Sequence, residues 1–191
     1  SVKAYYALKL SGQDVSSEVM IKAKKLILKM GGAESSNVFT KIALALFGQV
    51  SWNSIPYMPI EIINFPKWFP FNIYKISYWS RTVLVPLLIL MRRRPTAQNP
   101  NKVFITELLI DQKNHSKRIS LISKSDWLSR FFIYLDRFAL IFFSFFTKKF
   151  KDKCETSALS WILKRLNGVD GLGGIFPAMV NALMVLRTID S

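Results

Sequence analysis

Few residue types in this sequence could support acid, base or metal chemistry. The chain holds one cysteine, Cys154, and one histidine, His115, so neither a disulfide framework nor a zinc-like ligand cluster can be built from them. The glycine cluster that begins at Gly171 follows a predicted helix and lacks the Lys-Ser/Thr pair of a phosphate-binding loop. These features argue against catalysis by a metal, a thiol pair or a Ser-His-Asp triad, and against a nucleotide site.

The charge and the aromatic content point instead to a membrane surface. Lys and Arg number 27 against 12 Asp and Glu, which gives a net charge of +15. Such a balance requires an anionic partner, either nucleic acid or acidic lipid. Fifteen Phe and five Trp, with a mean hydropathy of +0.22, are too apolar for a usual nucleic-acid module. We therefore expect acidic lipid headgroups as a partner and no nucleic acid, and a homodimer remains open.

Helical periodicity dominates the chain, and no segment is rich in strand signals. Residues 95–125 mix Asn, Pro, Lys and Ser and are predicted to form an irregular excursion. A proline-rich connector covers 51–70, with one helical turn at 61–64. The repeated helix and turn pattern predicts an all-α fold, either an α-helical repeat or an α/α barrel. The predicted helices cover 14–30, 38–47, 71 or 73 to 91, 126–153, 156–167 and 177–187 or beyond.

The segment SYWSRTVLVPLLILMRRRP, residues 77–95, raises the question of whether the chain crosses a bilayer. A spanning helix needs about 20 apolar residues, whereas the run from Thr82 to Met91 is stopped by arginines on both sides. Pro86 lies inside it, and a packed interior tolerates such a proline better than isolated lipid does. We therefore predict a buried or interfacial helix.

Residues 126–153, DWLSRFFIYLDRFALIFFSFFTKKFKDK, form a second unusual segment. On a helical wheel six polar residues fall in one narrow stripe, and apolar residues, most of them aromatic, take most of the circumference. The six are Asp126, Arg130, Arg137, Ser144, Lys148 and Lys151. Asp136 and Arg137 in the middle argue against spanning, because a charge at the bilayer centre costs roughly 2.5–3.5 kcal/mol. An amphipathic helix lying in the membrane interface fits this pattern. Its predicted membrane-binding residues are Trp127, Phe131, Phe138, Phe142, Phe145 and Phe146.

Several blocks carry a resemblance to a known family over nearly the whole chain. GGAESSNVFTKIALALFGQVSW, MPIEIINFPKWFPFNIYKISYWSRTVLVPLLILMRRRP and WILKRLNGVDGLGGIFPAMVNALMVL together resemble bacterial squalene–hopene cyclases. The resemblance implies a terpene-cyclase α/α barrel toroid with a membrane-dipping helix. It also implies that this chain is an N-terminal-half fragment, which covers most of the inserted second barrel and its link to the first.

The resemblance further implies cyclisation of squalene to hopene or hopanol by a carbocation cascade, in hopanoid (triterpenoid) biosynthesis. Such enzymes are isomerases and lyases that need no metal or organic cofactor, and they attach as monotopic proteins to the cytoplasmic face of the bacterial inner membrane. The family's Asp-Xaa-Asp-Asp acid is absent from the sequence, so we expect no catalytic residue here and an inactive fragment. The alternative function is a non-catalytic basic membrane-surface protein.

The resemblance also assigns residues to the substrate cavity. Trp79, on the face of Val83, Pro86 and Leu90, matches an active-site tryptophan, although the residues alone would favour core packing. Phe176 occupies a position where some members carry glutamine, so the division between hopene and hopanol stays open. Two further residues, Ile76 and Leu84, match positions that line the substrate channel, and ordinary core packing is the alternative interpretation for both. The expected substrate-binding residues are Trp79, Ile175, Phe176 and Pro177, and the expected channel residues are Ile76 and Leu84.

Overall fold

A computed structural model describes residues 1–69, 72–110, 134, 138, 141–166 and 171–190. These residues form α-helices and 3-10 turns, with no strand among them, so the predicted all-α class is confirmed. The chain divides into two compact units, and each is described by itself. Unit 1 contains 1–56 and 96–110, and unit 2 contains 57–95 and the described residues from Tyr134 onward.

Unit 1 is built on three helices, α1 (Val2–Leu10), α2 (Glu18–Lys29) and α3 (Val38–Leu46). Their core includes Tyr5, Met20, Ile27, Leu44 and Leu108. Helix α1 was not predicted from the sequence. Helix α2, predicted within 14–30 with Ser16 or Ser17 as its N-cap, begins at Glu18 with Ser17 as the N-cap. The carboxylate of Asp14 accepts a hydrogen bond from the amide of Ser16 at 2.9 Å, which favours a turn over helix at 14–17.

The first part of the predicted excursion packs into unit 1. The Gln49 amide donates to the carbonyl of Val103 at 3.1 Å and accepts from the amide of Ile105 at 3.0 Å. Beyond this anchor, Thr106–Leu108 forms a 3-10 turn. Residues 95–110 follow the end of α4 and contain no α-helix, as predicted. Side-chain hydrogen bonds nevertheless hold them in place. Residues 111–125 lie outside the described part of the chain.

Unit 2 is built on α4 (Tyr78–Arg93), α5 (Lys148–Leu163) and α6 (Phe176–Ile189). The middle of α4 is buried from Val85 to Met91, including Pro86. The buried interpretation of this segment is therefore confirmed over the interfacial one. Within the described residues we find no helix with the length and apolar character needed to cross a membrane.

The start of α4 differs from the prediction, which placed it at Phe71 or Ile73. The Asn72 side chain accepts from the amide of Tyr74 at 2.6 Å, which closes a separate 3-10 turn over Ile73–Lys75. Ser77 then caps α4 by accepting from the amide of Ser80 at 3.2 Å. The successive side-chain caps of Asn72 and Ser77 thus separate a 3-10 turn from α4, whereas the apolar periodicity predicted one continuous helix.

The end of the predicted 126–153 helix is also wrong. Residues 141–144 are helical, 145–147 are not, and a new helix starts at Lys148. The hydroxyl of Thr147 accepts from the amide of Phe150 at 3.3 Å, so Thr147 is the N-cap of α5. Residues 148–153 therefore belong to α5, and α5 absorbs most of the helix predicted over 156–167. Residues 126–133 lie outside the described residues.

Contacts at both ends of α4 establish the directions of its neighbours. The rings of Tyr78 and Trp161 are 6.5 Å apart at one end, and Arg92 donates to the carbonyl of Lys151 at 2.9 Å at the other, so α5 is antiparallel to α4. Arg93 donates to the carbonyl of Thr188 at 2.9 Å, near the end of α6. Since Gly173, just before α6, lies against Tyr78, α6 is parallel to α4.

Glu155 joins the arginines that end α4 to α5. Its Oε2 lies 2.6 Å from Nη1 of Arg92 and its Oε1 lies 2.6 Å from Nη2 of Arg93. Asp152 also pairs with Arg92, but its side chain is 55% exposed against 14% for Glu155. Solvent therefore screens the ion pairs of Glu155 less than it screens the ion pair of Asp152.

We predict that Glu155→Gln lowers the free energy of unfolding by about 1–3 kcal/mol, because Arg93 loses the carboxylate of Glu155 and Arg92 keeps only the more exposed carboxylate of Asp152. The matched control Asp152→Asn should cost less than about 1 kcal/mol, since solvent already screens that pair. Urea unfolding of both variants measures the difference. Equal losses for the two variants would contradict this account of Glu155.

Candidate functional site

The starts of α4 and α6 lie at the same end of unit 2. A Cβ atom placed on Gly173 would lie 3.8 Å from Cε1 of Tyr78, which is the first residue of α4. Trp79 follows directly, and Ile175 is the N-cap of α6. The structure therefore brings the predicted residue Trp79 to the same end of the unit as Ile175, Phe176 and Pro177.

These predicted residues are largely exposed rather than buried in the core of the unit. Trp79 is 61% exposed and Phe176 is 73% exposed. Pro177 is also exposed, and Ile175 is half-buried. Core packing therefore does not explain Trp79, and contact with substrate stays a prediction. The predicted channel residues Ile76 and Leu84 are both half-buried, which fits either of their interpretations.

Helix geometry explains why Trp79 faces away from α5. Successive residues on a helix point about 100° apart, and Tyr78 takes the direction of Trp161. The guanidinium of Arg81 lies 5.9 Å from the Tyr78 ring, which holds this ring in place by a cation–π contact. The hydroxyl of Thr82 donates to the carbonyl of Trp79 at 2.7 Å and stabilises the first turn.

An apolar groove of about 410 Å³ runs along α6 beside Phe176. Its lining combines side chains of α6 with residues of the segment that precedes the helix. None of these side chains carries a hydrogen-bonding group, so the groove suits a hydrocarbon better than a polar ligand. The main lining residues are Leu166, Phe176, Met179, Val180, Leu183 and Leu186.

Cys154 and Asp190, two titratable groups of unit 2, do not form a catalytic centre. Cys154 is buried, the Asn64 amide donates to its Sγ at 3.3 Å, and burial raises the pKa of the thiol. A thiol kept protonated in this way is a poor nucleophile. Asp190 follows the far end of α6, roughly 20 Å of helix away from Phe176. In the described part of the chain, no cluster of three His, Cys, Asp or Glu residues could hold a metal ion.

Two ionic contacts of unit 2, one of them with a fully buried carboxylate, were not predicted from the sequence. Glu61 is fully buried in the 3-10 turn Ile60–Asn64, with Lys151 Nζ lying 3.7 Å from its Oε1. Arg92 and Arg93 were taken only as the end of an apolar run, whereas they hold α5 and α6. The helical turn at 61–64 was predicted, but nothing in the local pattern indicated partners about 60 to 90 residues away.

Four of the six predicted membrane residues lie within the described part of the chain. Phe138, Phe142 and Phe145 are 64%, 39% and 79% exposed, while Phe146 is half-buried. The neighbouring Phe143 is buried and stacks on Phe65 at 5.8 Å. Membrane contact stays a prediction for the exposed rings. The other two predicted residues, Trp127 and Phe131, lie outside the described residues.

Comparison with known proteins identifies the family. The family model described as squalene-hopene cyclase N-terminal domain matches residues 1–191. The chain is 41% identical to a probable squalene–hopene cyclase of Sinorhizobium fredii, over 97% of this chain and 29% of that protein. Squalene–hopene cyclase of Zymomonas mobilis is 41% identical over 97% of the chain and 28% of the relative. The enzyme of Alicyclobacillus acidocaldarius is 35% identical over 100% and 30% respectively.

This chain therefore belongs to the squalene–hopene cyclase family and has the all-α fold of its N-terminal domain. It spans less than a third of the length of the curated relatives that it matches. The fold predicted from the resemblance is confirmed at this level.

Proposed function

We propose that this chain contributes the N-terminal part of a squalene–hopene cyclase, a triterpene cyclase that converts squalene to hopene or hopanol. In this proposal the starts of α4 and α6 form part of the wall of the substrate cavity. Trp79 and Ile175 to Pro177 contact the hydrocarbon, and Ile76 and Leu84 line its channel. The names of the relatives support the reaction.

The observation that carries the proposal is the exposure of Trp79 and Phe176 at one end of unit 2, where Phe176 also lines an apolar groove. A C30 hydrocarbon offers no hydrogen-bonding group, so its pocket must fold it by shape. Carbocations that form during cyclisation are stabilised by aromatic faces, which attract cations through their quadrupole. An exposed indole held on a capped helix supplies such a face.

The acid that starts the reaction must come from elsewhere. Protonation of an unactivated alkene requires a strong, positioned carboxylic acid, and the sequence contains no Asp-Xaa-Asp-Asp motif. Glu155, Asp152 and Glu107 are engaged in ion pairs, and Glu61 is fully buried. We infer that this chain supplies cavity wall and membrane contact but not the proton.

The described aromatic residues also support attachment to a membrane. Phe138, Phe142 and Phe145 present exposed rings, and Lys148 and Lys149 follow them with exposed side chains. Aromatic rings with neighbouring lysines are typical of segments that lie in a bilayer interface. We propose monotopic attachment through this segment, at the cytoplasmic face of a bacterial inner membrane, so that squalene enters from lipid.

We predict that Trp79→Ala in the full-length cyclase shifts the products toward incompletely cyclised terpenes, because a cationic intermediate without its aromatic face loses a proton early. Gas chromatography of the products from squalene measures the shift. Trp52→Ala is the matched control: Trp52 is 8% exposed, so this change should lower stability and leave the product ratio unaltered. An unchanged profile for Trp79→Ala, with activity intact, would remove Trp79 from the cavity wall.

We predict that the purified 191-residue chain does not cyclise squalene, since it lacks the initiating acid. Its hydrocarbon products after incubation with detergent-dispersed squalene should equal those of a boiled sample. Turnover by this chain would overturn the proposed absence of the acid.

We predict that the chain sediments with vesicles that contain acidic lipid, because each lysine or arginine near such a surface contributes about 1 kcal/mol. Added salt should weaken sedimentation only in part, since the inserted rings are not screened. Protein that remains in the supernatant with both acidic and neutral vesicles would contradict membrane attachment. Vesicle binding by a full-length protein without product formation would favour the alternative, a non-catalytic membrane-surface protein.

A further inference from the structure

Trp68 is an exposed tryptophan to which the sequence analysis assigned no role. It is 78% exposed, and it lies in a tight turn where the amide of Phe69 donates to the carbonyl of Pro66 at 2.9 Å. The buried Asn72 side chain braces the turn by donating to the carbonyls of Phe65 and Pro66, at 3.0 Å and 2.6 Å. A fixed turn therefore holds a large apolar side chain in solvent, and such an exposed side chain indicates an interaction site where it joins a larger apolar patch.

Ring contacts connect this turn to the aromatic segment that precedes α5. The Trp68 ring lies 5.9 Å from that of Phe69, which lies 4.6 Å from that of Phe65. Phe65 in turn stacks on Phe143 at 5.8 Å and lies 6.2 Å from Phe146. Phe143 also lies 5.3 Å from the exposed Phe142, so the exposed rings of Trp68 and Phe142 belong to one continuous aromatic cluster within unit 2, although about 70 residues separate them in sequence.

We propose that the Pro66–Phe69 turn is a second membrane-contact element, in which Trp68 enters the interface of an anionic bilayer. This inference rests on the membrane attachment proposed above and extends it beyond the helical segment. The exposed lysines Lys67 and Lys148 carry positive charge on both parts of the cluster. The core of a protein interface is depleted in lysine, whereas a bilayer interface combines tryptophan with lysine. The charge pattern therefore favours lipid over another protein surface as the occupant.

The test compares three variants of the full chain on vesicles of phosphatidylcholine and phosphatidylglycerol. Trp68→Ala should weaken partitioning about five- to tenfold, by the apolar area that it removes from the bilayer, and Phe145→Ala should weaken it to a similar extent. The control Phe39→Ala, which removes a 57% exposed ring from α3 of unit 1, should leave partitioning unchanged. Circular dichroism melting of each variant verifies that the fold persists.

A second readout locates the indole directly. Brominated lipid should quench wild-type fluorescence more than that of Trp68→Phe, and the difference reports Trp68 alone. Weakened partitioning for Phe145→Ala but not for Trp68→Ala, with equal quenching, would overturn this inference and leave the proposed membrane attachment intact. Unaltered partitioning for both variants would overturn both. Shielding of Trp68 from aqueous iodide in the lipid-free protein would show that another protein surface covers it, and would also overturn the inference.

Discussion

The burial of the apolar middle of α4 is the constraint on which unit 2 depends. Val85 and Ile89 are completely buried, and at roughly 25 cal/mol per Å² such side chains dominate the favourable free energy of folding. Apolar burial has no direction of its own, so it does not determine how far one helix slides along another. The charged residues at the end of α4 supply that information. Arg92 and Arg93 pair with Glu155 of α5, and Arg93 donates to the carbonyl of Thr188.

The register set by Arg92 and Arg93 also determines which residues meet at the opposite end of the helices. Because α6 is parallel to α4 and is held near Thr188, its first turn lies level with Tyr78. Tyr78 then packs toward Trp161, and the next residue, Trp79, points away from α5. One end of unit 2 thus carries the ion pairs of Arg92 and Arg93. The other end presents the exposed rings of Trp79 and Phe176, and Phe176 lines the apolar groove. The proposed cavity wall follows from this division.

Periodicity and composition were sufficient for the all-α class and for the cores of α2, α3 and α4, because apolar spacing along a helix is local information. Helix ends were less predictable. Asn72, Ser77 and Thr147 cap their turns with side-chain oxygens, and polar residues of these types also occur at many positions where no cap forms. Lys41 was not singled out at all. It is 1% exposed in α3, where burial lowers its pKa, although lysine is almost never fully buried without a partner.

The candidate site could be named from the resemblance but not assembled from the sequence. Trp79 and Phe176 are nearly one hundred residues apart, and only the parallel packing of α4 and α6 brings their helix ends together. The exposure of Trp79 could not be read from a wheel on which Pro86 and Leu90, both buried, share its face. The role proposed for Trp68 could not be predicted from the sequence either, because it depends on ring contacts between a connector and a distant helix.

Photoaffinity labelling of the full-length protein tests the central claim most directly, namely that the starts of α4 and α6 face the hydrocarbon substrate. A non-cyclisable squalene analogue that carries a diazirine would be bound and irradiated, and the labelled peptides would be identified by mass spectrometry. We expect labelling in the peptides that contain Trp79 and Phe176, and its suppression by excess unlabelled analogue. Suppressible labelling confined to other peptides, with none on these two, would contradict the account.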